Sequence, residues 1–160
     1  MTTQVVLAST AFGLATATSA YDSGAFDPCE RRILLVACTT AMPEATPPMH
    51  DMAGVRDLMS RFDGVYDYNA AIEPQHPSIW RPRPGDLPLW ERYFRQLWGL
   101  GADDLHLVVE SIQVNPAQAL SRIFGDARID VYADGAHELR SDSDNAARDG
   151  RRQDRAVAAS

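Results

Sequence analysis

The sequence predicts an α/β fold of Rossmann-like type, a parallel sheet flanked by helices. Three observations carry this. Short apolar runs recur near residues 4, 33, 65, 105 and 128. The segments between them show helical spacing or helix-capping residues. Two of the runs, RILLVAC and LHLVVE, are apolar almost throughout, as strands covered on both faces are. Strands that alternate with helices are joined by right-handed crossovers and therefore lie parallel.

Taken in order, residues 4–8 form the first strand, and Ser9-Thr10 offer a capping hydroxyl to an Ala- and Thr-rich helix that stops at Gly24. Residues 32–38 are the second strand, followed by a proline-bearing loop over 42–48. Met52, Val55, Leu58, Met59 and Phe62 recur at three- and four-residue spacing, which predicts a short amphipathic helix ended by Gly64, then a brief strand over 65–68. Five prolines between residues 73 and 88 leave a surface loop there. Pro88 opens a helix over 89–100 with Leu89, Trp90, Tyr93, Phe94, Leu97 and Trp98 on one face, read as core packing. Residues 105–110 are the fourth strand. Asn115 as cap, Pro116 in the first turn and Gln118 reaching back predict a helix ending near Phe124-Gly125, and residues 128–132 are the last strand.

With 160 residues, 45% of them apolar, the chain suffices for one domain with a core and not for two. All 15 basic residues are arginine, set against 22 acidic ones, for a net charge of -7. A field of that sign repels a phosphate backbone, so no nucleic-acid partner is expected. Residues 136–160 hold five Arg, five acidic residues and only Leu139 and Val157 as larger apolar side chains, too little to offset the entropy of ordering. They are expected to be a disordered tail, leaving residues 1–135 as the folded domain and the seat of the whole charge deficit. The apolar start lacks a charged n-region, and no run approaches the length of a membrane span, so the protein is expected in the cytoplasm with no membrane span. Cys29 and Cys38 match neither a CxxC pair nor a zinc half-site, and His50, His76, His106 and His137 show no ligand spacing, so no metal is expected.

In an open parallel sheet, ligands bind beyond the carboxyl ends of the strands, where helix amino termini present unpaired N–H groups. That rule selects Ser9, Thr10 and Gly13 after the first strand, Thr39 and Thr40 after the second, Glu110, Ser111 and Gln113 after the fourth, and Asp134-Gly135 after the last. The first turn, LASTAFG, lacks the GxGxxG of a dinucleotide site, and a lysine-free chain has no P-loop. Ser9 and Thr10 serve equally as a plain helix cap. Glu110 closes an apolar strand and has to be solvated, paired with an arginine or functional. Asp134 is either a turn residue before Gly135 or a base in the cleft beyond the sheet. His76-Pro77, alone in the proline loop, reads as a surface histidine.

Five segments, LASTAFGLATA, RRILLVACTTAMPE, PLWERYFRQLWGLG, LVVESIQVNPAQALSRIF and IDVYADG, resemble the amino-terminal part of the bacterial alpha-2,8-polysialyltransferase family, from about residue 3 to Gly135. The resemblance implies the amino-terminal, acceptor-side Rossmann-like domain of a two-domain GT-B sialyltransferase. Such an enzyme transfers sialic acid with inversion from CMP-sialic acid, held by a second domain, to a glycan hydroxyl. It needs no cofactor beyond that donor substrate. Related enzymes carry two acidic residues followed by glycine, the second acid being the general base. Ala133-Asp134-Gly135 matches the second and third positions, so the resemblance implies Asp134 as base, with Ser9, Thr10, Glu110, Ser111 and Gln113 lining the acceptor cleft and Gly13 and Gly135 serving the turns. The family's His-Pro pair belongs to the donor domain, so that role does not pass to His76-Pro77.

The similarity stops after Gly135, and an arginine-rich, lysine-free tail is what a shifted frame in GC-rich coding sequence gives, so a truncated or frameshifted product is the expectation. Such a product would show little transfer alone and would self-associate through an uncovered interdomain face. A non-catalytic Rossmann-like binding module remains the alternative.

Overall fold

The computed structural model describes residues 1–132; Asp134, Gly135 and the expected tail lie outside the described residues. Five strands, β1 (Thr2–Ala8), β2 (Arg31–Val36), β3 (Gly64–Asp67), β4 (Asp104–Val109) and β5 (Arg128–Val131), alternate with five helices, α1 (Ala11–Asp22), α2 (Val55–Met59), α3 (Tyr68–Ile72), α4 (Leu87–Leu97) and α5 (Ala117–Ile123). The strands form one parallel sheet in the order β3-β2-β1-β4-β5. The class is therefore α/β and Rossmann-like, as the alternation requires. Val5 of β1 lies beside Ile33 on one flank and Leu107 on the other, so β1 is paired along both edges.

Alternate residues of β1, β2 and β4 feed two cores. Val5, Leu7, Ile33, Leu35 and Leu107 pack under Phe94, Trp98, Leu120 and Phe124 from α4, α5 and their ends. Val6, Ala8, Leu34 and Val108 pack under Leu14 and Ala17 of α1 with Phe26 and Val55. Phe94 and Trp98 stack with centroids 4.3 Å apart, and burying a side chain of that size contributes about 1.5–3 kcal/mol.

The α1-facing side turns polar toward the amino ends of the strands. Gln4, buried in β1, accepts from Arg32 Nε at 3.2 Å and, through Nε2, donates to the Asp27 carbonyl at 3.0 Å and faces His106 Nδ1 at 2.9 Å. His106 Nε2 is 2.6 Å from Asp130 Oδ2, and both residues are buried. Arg128 reaches Asp130 at 3.5 Å and also pairs with Asp27. Burial here is tolerable because each polar group finds a partner.

Several expected elements shift. The helix foreseen through Met52 to Phe62 is interrupted: Met49–Asp51 forms a 3-10 turn, Gly54 sits at φ +78°, and only Val55–Met59 is helical, leaving Met52 exposed. Tyr68 opens α3 instead of ending a strand, because Asp67 caps it by accepting from Ala70 N at 3.3 Å. The proline loop is shorter than foreseen, since Pro84–Asp86 forms a 3-10 turn that leads into α4 at Leu87. That helix starts at Leu87, with Pro88 inside its first turn. Of its aromatic face, Phe94 and Trp98 are buried, whereas Leu89, Tyr93 and Leu97 are exposed on the outer side. At α5, Asn115 does not cap: its Oδ1 is buried without a partner, and Gln118 Nε2 donates to the Gln113 carbonyl.

Candidate functional site

The strand order reverses between β1 and β4, since β2 follows β1 on one side and β4 lies on the other. At such a switch point the loops leaving the two strands diverge and open a crevice at their carboxyl ends. Ser9 and Thr10 leave β1 there, and Glu110 and Ser111 leave β4.

Thr10 is the amino-terminal cap of α1, its Oγ1 accepting from Gly13 N at 2.9 Å. Gly13 is buried in the helix's first turn, and its missing side chain brings three groups together. A methyl group placed on Gly13 would lie 3.1 Å from Thr10 Oγ1, 3.5 Å from Tyr132 Oη and 3.8 Å from Glu110 Oε2. The Glu110 carboxylate thus rests against the positive end of α1, where a negative charge is favoured. Glu110 is exposed and makes no ion pair among the described residues, so of the three roles open to it the arginine pair is the one the structure does not use.

Tyr132 closes the crevice from below. It is buried, its N donates to the Val109 carbonyl at 2.9 Å, and its hydroxyl donates to the Leu7 carbonyl at 2.6 Å. Burial, reinforced by the Glu110 charge, raises its phenol well above the usual range, so it stays a proton donor at neutral pH. Sequence reasoning passed over Tyr132 as the end of a strand; the only available signal was its position where the fifth strand meets the carboxyl end of the sheet.

The other selected residues are placed around this centre with mixed outcomes. Ser111 Oγ accepts from Gln113 N at 3.2 Å, and the Gln113 carbonyl takes Gln118 Nε2 at 2.8 Å, so these residues shape the β4–α5 loop with the Gln113 side chain exposed. Thr39 and Thr40 follow β2 and belong to a separate frame. The Thr40 carbonyl accepts from His76 Nε2 at 2.7 Å, His76 Nδ1 accepts from Ser78 N at 3.1 Å, and Ser78 Oγ donates to the Thr39 carbonyl at 3.3 Å. Both ring nitrogens are engaged, so His76, half-buried, ties the proline loop to the β2 end. Asn69 adds a reciprocal pair with the backbone of Cys38. Asp134 and Gly135 lie outside the described residues.

Among the described residues, no group of three or more His, Cys, Asp or Glu side chains is placed to hold a metal ion. Nor is any helix among them long and apolar enough to cross a membrane.

Fold and crevice together define a Rossmann-like α/β domain with an acidic, hydroxyl-bearing switch point. Beyond that class, no family model, no curated protein and no solved structure matches the chain.

Proposed function

We propose that the domain is the acceptor-side half of a sialyltransferase-like glycosyltransferase, its switch-point crevice holding the glycan whose hydroxyl is glycosylated. The observation that carries this reading is the Glu110 carboxylate set against the first turn of α1 beside Thr10 and Tyr132. A carboxylate accepts hydrogen bonds from sugar hydroxyls and does not suit an apolar ligand.

In this reading the acceptor hydroxyl attacks the anomeric carbon of CMP-sialic acid, the bond to the CMP oxygen breaks with its electron pair, and a base takes the hydroxyl proton. Asp134 is the proposed base, two residues after Tyr132 in the sequence. Phe12, Met42 and Val114, exposed on the carboxyl-end loops and in the first turn of α1, are the surface that meets a donor-side domain.

The test is a titration of the protein with short oligosialic acid and, separately, with CMP, followed by amide chemical shifts and calorimetry. Oligosialic acid at millimolar concentration should perturb residues 9–13 and 110–113, Glu110→Gln should weaken that binding about tenfold, as expected for one lost charge-assisted hydrogen bond, and CMP should leave the crevice unmoved. Silence toward the glycan, or equal binding by the variant, defeats the reading; CMP binding in the crevice would point to a nucleotide-binding module instead.

A further inference from the structure

The switch-point crevice is flanked by residues 9–13 on the β1 side and 110–116 on the β4 side, and Glu110 is the only charged side chain in either segment. Arg31 and Arg32, which open β2, and Arg128, which opens β5, stand at the other end of the sheet. The buried Tyr132 hydroxyl senses this imbalance. After burial itself, Glu110 is the first group whose charge pushes its phenol up, and no arginine pulls the other way.

Hydrogen-bonding capacity is one-sided as well. Glu110 is exposed, neither of its carboxylate oxygens accepts a hydrogen bond among the described residues, and an ionised carboxylate can only accept. The Tyr132 proton is committed to the Leu7 carbonyl. Thr10 is exposed, and its Oγ1, which accepts from Gly13 N at 2.9 Å, keeps a proton and a second lone pair for a ligand. A group that fits has to bring donors to the carboxylate and carry no negative charge of its own. An acidic substituent about 4 Å from Glu110 meets a repulsion that weakens binding about fivefold even in water. The positive end of α1, roughly half a charge, is too small to invite an acid yet weakens the pull of Glu110 on a cation.

We propose that the crevice selects a neutral, hydroxyl-bearing sugar over an acidic one, with the Glu110 carboxylate as the specificity-determining group and the Thr10 hydroxyl beside it. This rests on the reading of the crevice as a glycan site and narrows it: the acceptor end is an uncharged sugar, and an acidic sugar enters only as the group transferred. Oligosialic acid, held through its hydroxyls, is then the weaker ligand.

The full chain is titrated with methyl glucoside, methyl glucuronoside and the methyl glycoside of glucosamine, which share one pyranose ring and differ in charge, while the amide shifts of residues 9–13 and 110–113 are followed at low and high salt. The neutral sugar should bind saturably and the acid about fivefold more weakly at low salt, with the gap narrowing at high salt because exposed charges are screened. In Glu110→Gln the neutral sugar should bind about tenfold more weakly and the gap between neutral and acid should close, with the urea midpoint nearly unchanged because Glu110 is exposed. Binding of the acid as tight as that of the neutral sugar, a gap that survives in Glu110→Gln, or about tenfold tighter binding of the amino sugar overturns the proposal. If oligosialic acid moves the crevice while the three glycosides are not distinguished, the glycan reading stands and this selectivity falls. If the neutral sugar is preferred while oligosialic acid is silent, the selectivity stands and the sialyltransferase reading falls. Silence toward every sugar removes both.

Discussion

His106 has its proton placed by its neighbours. Gln4 cannot present its oxygen to the ring, because that oxygen accepts from Arg32 while the amide nitrogen donates to the Asp27 carbonyl. Nδ1 is therefore the acceptor, and the proton sits on Nε2, directed at Asp130 2.6 Å away. Each member orients the next, and the chain ties β2, β1, β4 and β5 together, with Arg32, Gln4 and His106 in register and Asp130 two residues further along β5. Taking out one member of such a buried set leaves the others unmatched. His106→Ala should therefore cost about 3–5 kcal/mol in urea unfolding at neutral pH, the range for breaking a buried pair, whereas Asp130→Asn, which keeps an acceptor for Nε2, should cost clearly less. Equal losses in the two variants, or a loss under about 1 kcal/mol for His106→Ala, would show that the set does not act as a connected unit.

At the scale of elements, Gly54 decides where α2 begins. Its φ of +78° belongs to the left-handed region, and a methyl group added there would meet nothing within 4 Å. Gly54→Ala should thus cost about 1–2 kcal/mol from backbone conformation alone, read as a lower urea midpoint with an unchanged slope, while Gly85→Ala, also in open space and without a positive φ, should be close to neutral. A neutral Gly54→Ala would mean that the α2 approach rearranges freely. Gly54 also marks the limit of sequence reading here, since the spacing from Met52 to Phe62 is helical whether or not a glycine interrupts it. The five strands were legible because apolar runs of that length have few other uses, and α1 because Thr10 and Gly24 bracket it. Tyr68 and Asn115 misled for one reason: side-chain capping competes with pattern, and Asp67 caps where nothing apolar announces it while Asn115 fails to. For the crevice, the carboxyl-end rule selected Thr10, Gly13 and Glu110, but the convergence with Tyr132 depends on the β1–β4 switch point. That neighbourhood follows from strand order, which no single segment encodes.

For the whole molecule, charge is the property that pH can move. Two aspartates bridge parts of the fold distant in sequence: Asp22 at the end of α1 pairs with Arg61, and Asp27 before β2 pairs with Arg128 of β5. The hydrogen bonds from Arg61 and Arg128, ahead of their charges, hold the carboxyls of Asp22 and Asp27 below the ordinary aspartate range. A folded-state value below the unfolded one means that the unfolded chain binds the proton first, so stability rises with pH across the interval between the two. The contribution is complete above the ordinary aspartate value of about 4 and is lost as pH falls through the lower folded-state values. Both pairs are exposed, which makes the effect small and open to screening by salt. The urea midpoint at low salt should decline below pH of about 4. In the Asp22→Asn, Asp27→Asn double variant that decline should be shallower, and added salt should flatten the parent toward the variant. An acid limb of equal slope in parent and double variant would remove these two pairs from the account and place the acid sensitivity on other carboxylates of this acidic chain.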